Sequence, residues 1–180
     1  MKKTLITLAI GLGLASNASA ANTGSINFHG HIDSGTCPIV IIDPSTGLPM
    51  SRVNMGNVNA SQFKTTGDEA GSRAFGMRIT PGGGCTVTAG TANVTFTGGY
   101  GGAGTGGALY ALAPDGAKNL ALTIKDDTGT PVANGTPSKD YEVDDTTETT
   151  MIFSAAYKST DNDVIGGAAN TDVQFLVEIP

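Results

Sequence analysis

Residues 24–33, Gly-Ser-Ile-Asn-Phe-His-Gly-His-Ile-Asp, alternate in character without a break. Gly24, Ile26, Phe28, Gly30 and Ile32 fall on one side, and Ser25, Asn27, His29, His31 and Asp33 on the other. A backbone that sends successive side chains to opposite faces is a β-strand, and one apolar face against one polar face makes it half-buried. Two of the inward positions are glycines, so this strand has to lie close to another backbone. It also stands near the start of the chain, where segments fray unless something holds them. A strand this well patterned at a free end needs a sheet, its own or a neighbour's.

Residues 1–20 have the build of a secretory signal peptide. Lys2 and Lys3 form a charged start, residues 5–14 an apolar run, and Ala18-Ser19-Ala20 a small-residue cleavage site. The run is too short to cross a bilayer, and no later stretch is apolar for long enough. The expected product is therefore an exported, soluble chain of 160 residues, 21–180, which is enough for one domain with a real core. Losing Lys2 and Lys3 takes the formal charge from −6 to −8, which argues against nucleic acid as a partner. With 26 glycines, no tryptophan and few helix-favouring runs, the composition reads as all-β with many turns.

Short strand signals follow one another along the chain. Residues 36–42 are compactly apolar and end at Asp43-Pro44 and a turn at Ser45-Thr46-Gly47. Residues 52–56 read as a short edge strand, and 62–72 as polar, with a loop at Thr66-Gly67-Asp68. Phe75, Met77 and Ile79 share a face over 74–80, Val94 and Phe96 over 93–97, and Leu120, Leu122 and Ile124 over 120–125. A turn at Asp127-Thr128-Gly129 follows, residues 109–113 are expected to make a turn of helix, and strands over 151–157 and 172–179 close the chain. This density of strands and turns predicts a sandwich of the immunoglobulin-like kind. In the last strand Val173, Phe175, Val177 and Ile179 share one face. Both chain ends therefore alternate, and one can pair with the sheet edge beside the other.

Cys37 and Cys85 lie in the exported chain, where the surroundings are oxidising, so one intramolecular disulfide is the default. On the chain-entropy model, closing a loop of that length removes roughly 4 kcal/mol of unfolded-state freedom. A metal pair or catalytic thiol is the competing idea, without any CxxC spacing to support it.

Other patterns resemble chemical sites and fail on context. Residues 102–107 match GxGxxG, but Pro114-Asp115-Gly116 leaves no room for the helix whose N-terminus would face a pyrophosphate, and a flexible glycine loop is expected. Asp127-Thr128-Gly129 matches the aspartic-protease triplet, yet Lys125-Asp126 and Thr130-Pro131 around it suit an exposed hairpin turn. His29, His31 and Asp33 share the outward face of the arm with no fourth metal ligand in view. Asp140, Glu142, Asp144, Asp145 and Glu148 lack calcium-loop spacing and read as a surface loop. No GxSxG elbow or P-loop lysine is present, and both histidines lie on the arm. The chain is read as a non-enzyme with no cofactor and no metal.

One combination is specific. Residues 24–32 lead to Thr36-Cys37, then come Val53-Asn54-Met55-Gly56-Asn57-Val58, Ala74-Phe75-Gly76-Met77-Arg78-Ile79 towards Cys85, and Val94-Thr95-Phe96-Thr97-Gly98. Residues 119–126, Phe153-Ser154-Ala155-Ala156-Tyr157 and a tail from Gly167, fourteenth from the end, complete the order. In this order the chain resembles the pilin subunits of chaperone–usher fimbriae, of the type 1-like group, over nearly the whole of 21–180. Ile179 and Pro180 stand where that family usually has an aromatic residue next to last, and Phe175 is the aromatic of this tail.

The resemblance implies an immunoglobulin-like β-sandwich lacking its last strand, completed by donor-strand exchange. It divides the chain into a signal peptide (1–20), a donor-strand arm (21–33) and a pilin domain (34–180). Gly24, Ile26, Phe28, Gly30 and Ile32 become the donor face, and Gly167, Val173, Phe175, Val177 and Ile179 the acceptor groove and chaperone-binding edge. The implied partners are other fimbrial subunits, a periplasmic chaperone and an outer-membrane usher, and the implied destination is a cell-surface fimbria that supports adhesion. The contrasting reading is a secreted monomeric β-sandwich that binds a carbohydrate or a metal; the scarcity of aromatics counts against a sugar platform.

Overall fold

The computed structural model describes residues 37–179, all within the unit that begins at Asp33. Among them the regular elements are strands and two short 3₁₀ turns. The strands are β1 (Ile39–Ile42), β2 (Glu69–Ile79), β3 (Gly90–Gly98), β4 (Gly102–Ala103), β5 (Leu109–Ala111), β6 (Leu120–Asp126), β7 (Pro131–Val132), β8 (Tyr141–Val143), β9 (Thr149–Ser159) and β10 (Val173–Glu178).

Two antiparallel sheets result. The larger runs β1-β2-β9-β6-β5-β4, with β7 also on β6, and the smaller runs β10-β3-β8. Period-2 patterning sends one face of each inward. Phe75, Met77 and Ile79 on β2, Leu122 and Ile124 on β6, and Met151, Phe153 and Tyr157 on β9 meet Val94 and Phe96 on β3 in one core. Its centre is aromatic. The Phe96 ring stands edge-on to Phe75 and Phe153, with centroids 6.1 and 5.0 Å away, and Phe75 stacks on Phe153 at 5.7 Å. These contacts join the two sheets, and the immunoglobulin-like sandwich expected from the sequence is the observed architecture.

Particular elements depart from expectation. Residues 52–56 pair with no strand among the described residues, so they are not an edge strand. Residues 109–111 are strand β5, held to β6 through Tyr110↔Leu122, and not a turn of helix. The glycine loop after β3 is folded, with β4 and a 3₁₀ turn inside it. A Cβ on Gly102 would lie 2.4 Å from the carbonyl oxygen of Gly107, so glycine is there for close approach. Strand β8 runs through the acidic stretch, with Tyr141 and Val143 inward and Glu142 outward. The Asp127-Thr128-Gly129 turn forms as expected. Asp126 Oδ1 accepts from the Thr128 and Thr130 N–H groups, both at 2.9 Å. Burial works against the Asp126 charge, but these bonds and the Thr128 hydroxyl outweigh it and lower its pKa.

Cys37 and Cys85 form the expected disulfide, which ties the chain two residues ahead of β1 to the loop after β2. The approach to β10 is fixed differently, largely by backbone. Ala113 N–H donates to Asn170 O, Ala117 N–H to Ala168 O, and Lys118 and Ile165 exchange a pair of bonds. Such contact leaves no room for side chains between the two segments. A Cβ on Gly116 would stand 2.0 Å from Ala168 O, and one on Gly167 would stand 2.8 Å from Ala117 N. Gly116→Ala is therefore expected to destabilise the chain by about 3 kcal/mol, at the upper end of overpacking effects. Thermal unfolding should register this as a midpoint lowered by roughly 6–12 °C; an unchanged midpoint would mean that the two segments separate without cost.

Candidate functional site

The two sheets do not close on each other along one side. Strand β10 pairs with β3 from Val173↔Gly98 to Glu178↔Asn93, and its other edge has no strand partner among the described residues. Strand β1 pairs with β2 from Ile39↔Ile79 to Ile42↔Gly76. Its other edge is taken only at the far end, where Met50 N–H donates to Ile41 O and Ile42 bridges to Pro49. Beyond that hairpin the chain runs past Val53 and Met55, both half-buried against the core.

Between these edges lies a cleft of about 660 Å³. Val173 and Phe175 form one wall; Ile41, Val53 and Met55 form the other; Phe75, Phe96 and Tyr157 contribute to the floor. The aromatic core is thus also the bottom of the cleft. Exposure separates the walls from the rest of the sandwich. Phe175 and Phe96 stand opposite each other across the β10–β3 ladder, yet Phe175 is 39% exposed and Phe96 only 3%.

Several polar residues, Ser51, Arg52, Asn54 and Thr171 among them, also line the cleft, and some of its polar groups are engaged within the fold. Tyr157 donates its hydroxyl to Ala169 O at 2.7 Å, and burial raises its pKa. At the end where β10 begins, Tyr100 donates to Asp172 Oδ2 at 3.3 Å, and the Asp172 charge raises the phenol's pKa. Among the described residues no group of histidine, cysteine and carboxylate side chains is placed to hold a metal ion. What the cleft offers is apolar surface beside strand edges with unpaired backbone groups, which suits the addition of an extended segment.

The groove residues expected from the sequence divide between several places. Val173 and Phe175 line the cleft. Val177 and Ile179 are half-buried against the core and extend the same face beyond it. Gly167 lies in a second cavity, of about 460 Å³, that shares Gly56, Tyr157 and Ala169 with the first. On the opposite side, the strand read over 36–42 does border the cleft through Ile41, but residues 52–56 were read as an edge strand, and their place in the cleft lining without a strand partner was missed. Gly24, Ile26, Phe28, Gly30 and Ile32 lie outside the described residues, as do His29, His31 and Asp33.

A family model described as fimbrial protein matches residues 26–179. The chain belongs to the fimbrial protein family. It is similar to a fimbrial-like protein, FimF, of Salmonella typhimurium, with 30% identity over 96% of this chain and 95% of that one. It is also similar to a type-1 fimbrial protein subunit of Serratia marcescens, with 28% identity over 99% of both chains. Among solved structures, a Burkholderia pseudomallei antigen and type I fimbria protein aligns at a TM-score of 0.57 and 29% identity, covering 79% of this chain and 99% of that one. The chain is thus a structural fimbrial subunit, exported to the cell surface.

Proposed function

We propose that this fimbrial subunit polymerises head-to-tail by donor-strand exchange. The apolar arm at residues 21–33 of one copy, through Gly24, Ile26, Phe28, Gly30 and Ile32, occupies the cleft between β10 and β1 of the next. The observation that carries this reading is the half-exposed inward face of β10 beside a strand edge with no partner among the described residues. The arm supplies what that edge lacks: backbone groups for the ladder and an alternating apolar face whose register is fixed by its period of two. Burying Ile26, Phe28 and Ile32 contributes on the order of 5–9 kcal/mol before ordering costs. A contact in which each copy gives at one end and receives at the other does not close on itself, so it builds a filament.

Before assembly the same cleft is expected to receive a strand from a periplasmic chaperone, with an outer-membrane usher overseeing the exchange. The role is structural and includes no catalytic step. The monomeric, ligand-binding alternative is not favoured, since every large apolar feature of the cleft is explained by a strand.

The test is a synthetic peptide of residues 21–35 offered to the mature chain, with its thermal midpoint measured against peptide concentration. A groove-binding peptide stabilises the folded state by mass action, by about 2.7 kcal/mol at a hundred times its dissociation constant. The midpoint should rise steadily with the peptide and stay put with one carrying Ile26→Asp and Phe28→Asp. A stable monomer indifferent to both peptides would sink the reading.

A further inference from the structure

The methionines within residues 37–179 fall into two pairs. Met77 and Met151 are completely enclosed in the core, each at 0% exposure. Met50 and Met55 are half-buried, pack on the edge of the core and line the cleft opposite β10. A thioether is flexible and polarisable, which suits a wall that has to fit more than one occupant. It is also the apolar side chain most easily oxidised, and accessibility decides which thioethers react.

We propose that Met50 and Met55 are sites of oxidative modification that disable the groove. The inference rests on the donor-strand reading above. With hydrogen peroxide as the oxidant, one peroxide oxygen is transferred to the methionine sulfur. An S–O bond forms, the O–O bond breaks, the sulfur gives up two electrons, and the other oxygen leaves as water. The product is a sulfoxide with a strongly polar oxygen at what had been an apolar position of the wall. In an unassembled subunit water satisfies that oxygen. An apolar arm laid across the wall displaces the water and brings no donor side chain of its own inward face, so docking is penalised. Once an arm is seated, the same two sulfurs are covered and protected. The chemistry therefore discriminates unassembled subunits from assembled ones.

The experiment uses the mature chain with its disulfide intact in two states: isolated fimbriae, and subunits released from them by denaturant and refolded at low concentration. Both receive a short pulse of hydrogen peroxide and are mapped by peptide mass spectrometry. Sulfoxide is expected at Met50 and Met55 of the refolded subunits, with Met77 and Met151 at least about tenfold slower, and at none of the four in intact fimbriae. Uptake of the peptide of residues 21–35 by the treated subunits should fall about tenfold or more, the effect of burying one unsatisfied polar group. In a Met50→Leu, Met55→Leu variant the ratio of treated to untreated uptake should stay at one, whatever the untreated level. Oxidation of Met77 and Met151 as fast as Met50 and Met55 would overturn the proposal. So would undiminished uptake by subunits carrying both sulfoxides. Untreated subunits that ignore the peptide would overturn the donor-strand reading itself. That failure is distinguishable, because the oxidation map is read before any peptide is added.

Discussion

Phe175→Asp is expected to abolish capture of the subunit, both by its chaperone and by a neighbour's arm, while Gln174→Asp leaves capture within a few-fold of the parent. The two positions are adjacent on β10 and point to opposite faces. Phe175 stands opposite Phe96 on the face that lines the cleft, and Gln174 stands opposite Thr97 on the other. Only the 39% of Phe175 still exposed is left to bury when a strand docks, so losing the phenyl ring forfeits about 1 kcal/mol. The carboxylate that takes its place must also shed its water in an apolar joint, which costs several kcal/mol more. Together these exceed the ~2.8 kcal/mol that corresponds to a hundredfold loss of affinity. Phe175 is already 39% exposed, so the sandwich itself should survive, and an intact Cys37–Cys85 bond in the variant checks that it has. Co-purification with the chaperone and peptide titration are the readouts. Equal effects from the two substitutions would mean that the facing of β10 is wrong.

Deleting residues 21–32 should separate folding from assembly. The core described here is made of residues between Cys37 and Ile179, and the cleft walls are among them. The shortened subunit should therefore fold, form its disulfide and be captured by the chaperone like the parent. It should also accept an arm from another copy. It has none to give, so each filament should stop at the shortened copy, and mixing it with parent subunits should shorten fibres in proportion to its share. Electron microscopy of fibre lengths measures this. Fibres that extend from the shortened chain alone would show that the arm is not the donor strand.

Most of the sandwich was legible because its long strands carry alternating side chains of the right kind. Phe75-Gly76-Met77-Arg78-Ile79 and the run from Leu120 to Lys125 can be strands of one orientation only, since a slip of one residue would bury Arg78 or Lys125. The strands that escaped notice are those where the pattern is too short or is masked by composition. Strand β8 has only Tyr141 and Val143 to mark it, set among carboxylates. Strand β5 reads Leu-Tyr-Ala without a polar partner face, because Leu109 and Ala111 are themselves half-buried beside β4 and β6. The groove was half legible. Its β10 wall and the β1 strand opposite follow from the strand patterns, whereas Val53 and Met55 belong to a segment without a strand partner, whose assignment depends on what it faces across the cleft. Gly167 was found for its place in the tail, but the structure supplies a separate reason for it: the segment before β10 runs against Gly116 and Ala117 with no room for a side chain.

The Cys37–Cys85 bond has a mechanical consequence. In a fibre joined by arms, tension would reach each subunit through the chain entering at Cys37, two residues ahead of β1. That strand is only four residues long and has a full ladder on one side alone. Pulled from its end, it would peel from β2 one hydrogen bond at a time. The disulfide passes the load directly to Cys85 instead, just past the Ile79 end of β2, which is anchored along its length to β9. The sequence between the two cysteines, a separation of 48 positions, is also withheld from extension. At about 3.4 Å per residue that is some 160 Å of slack that a stretched subunit cannot release. In a fibre joined by such arms, this segment would stay folded under drag until the bond is reduced.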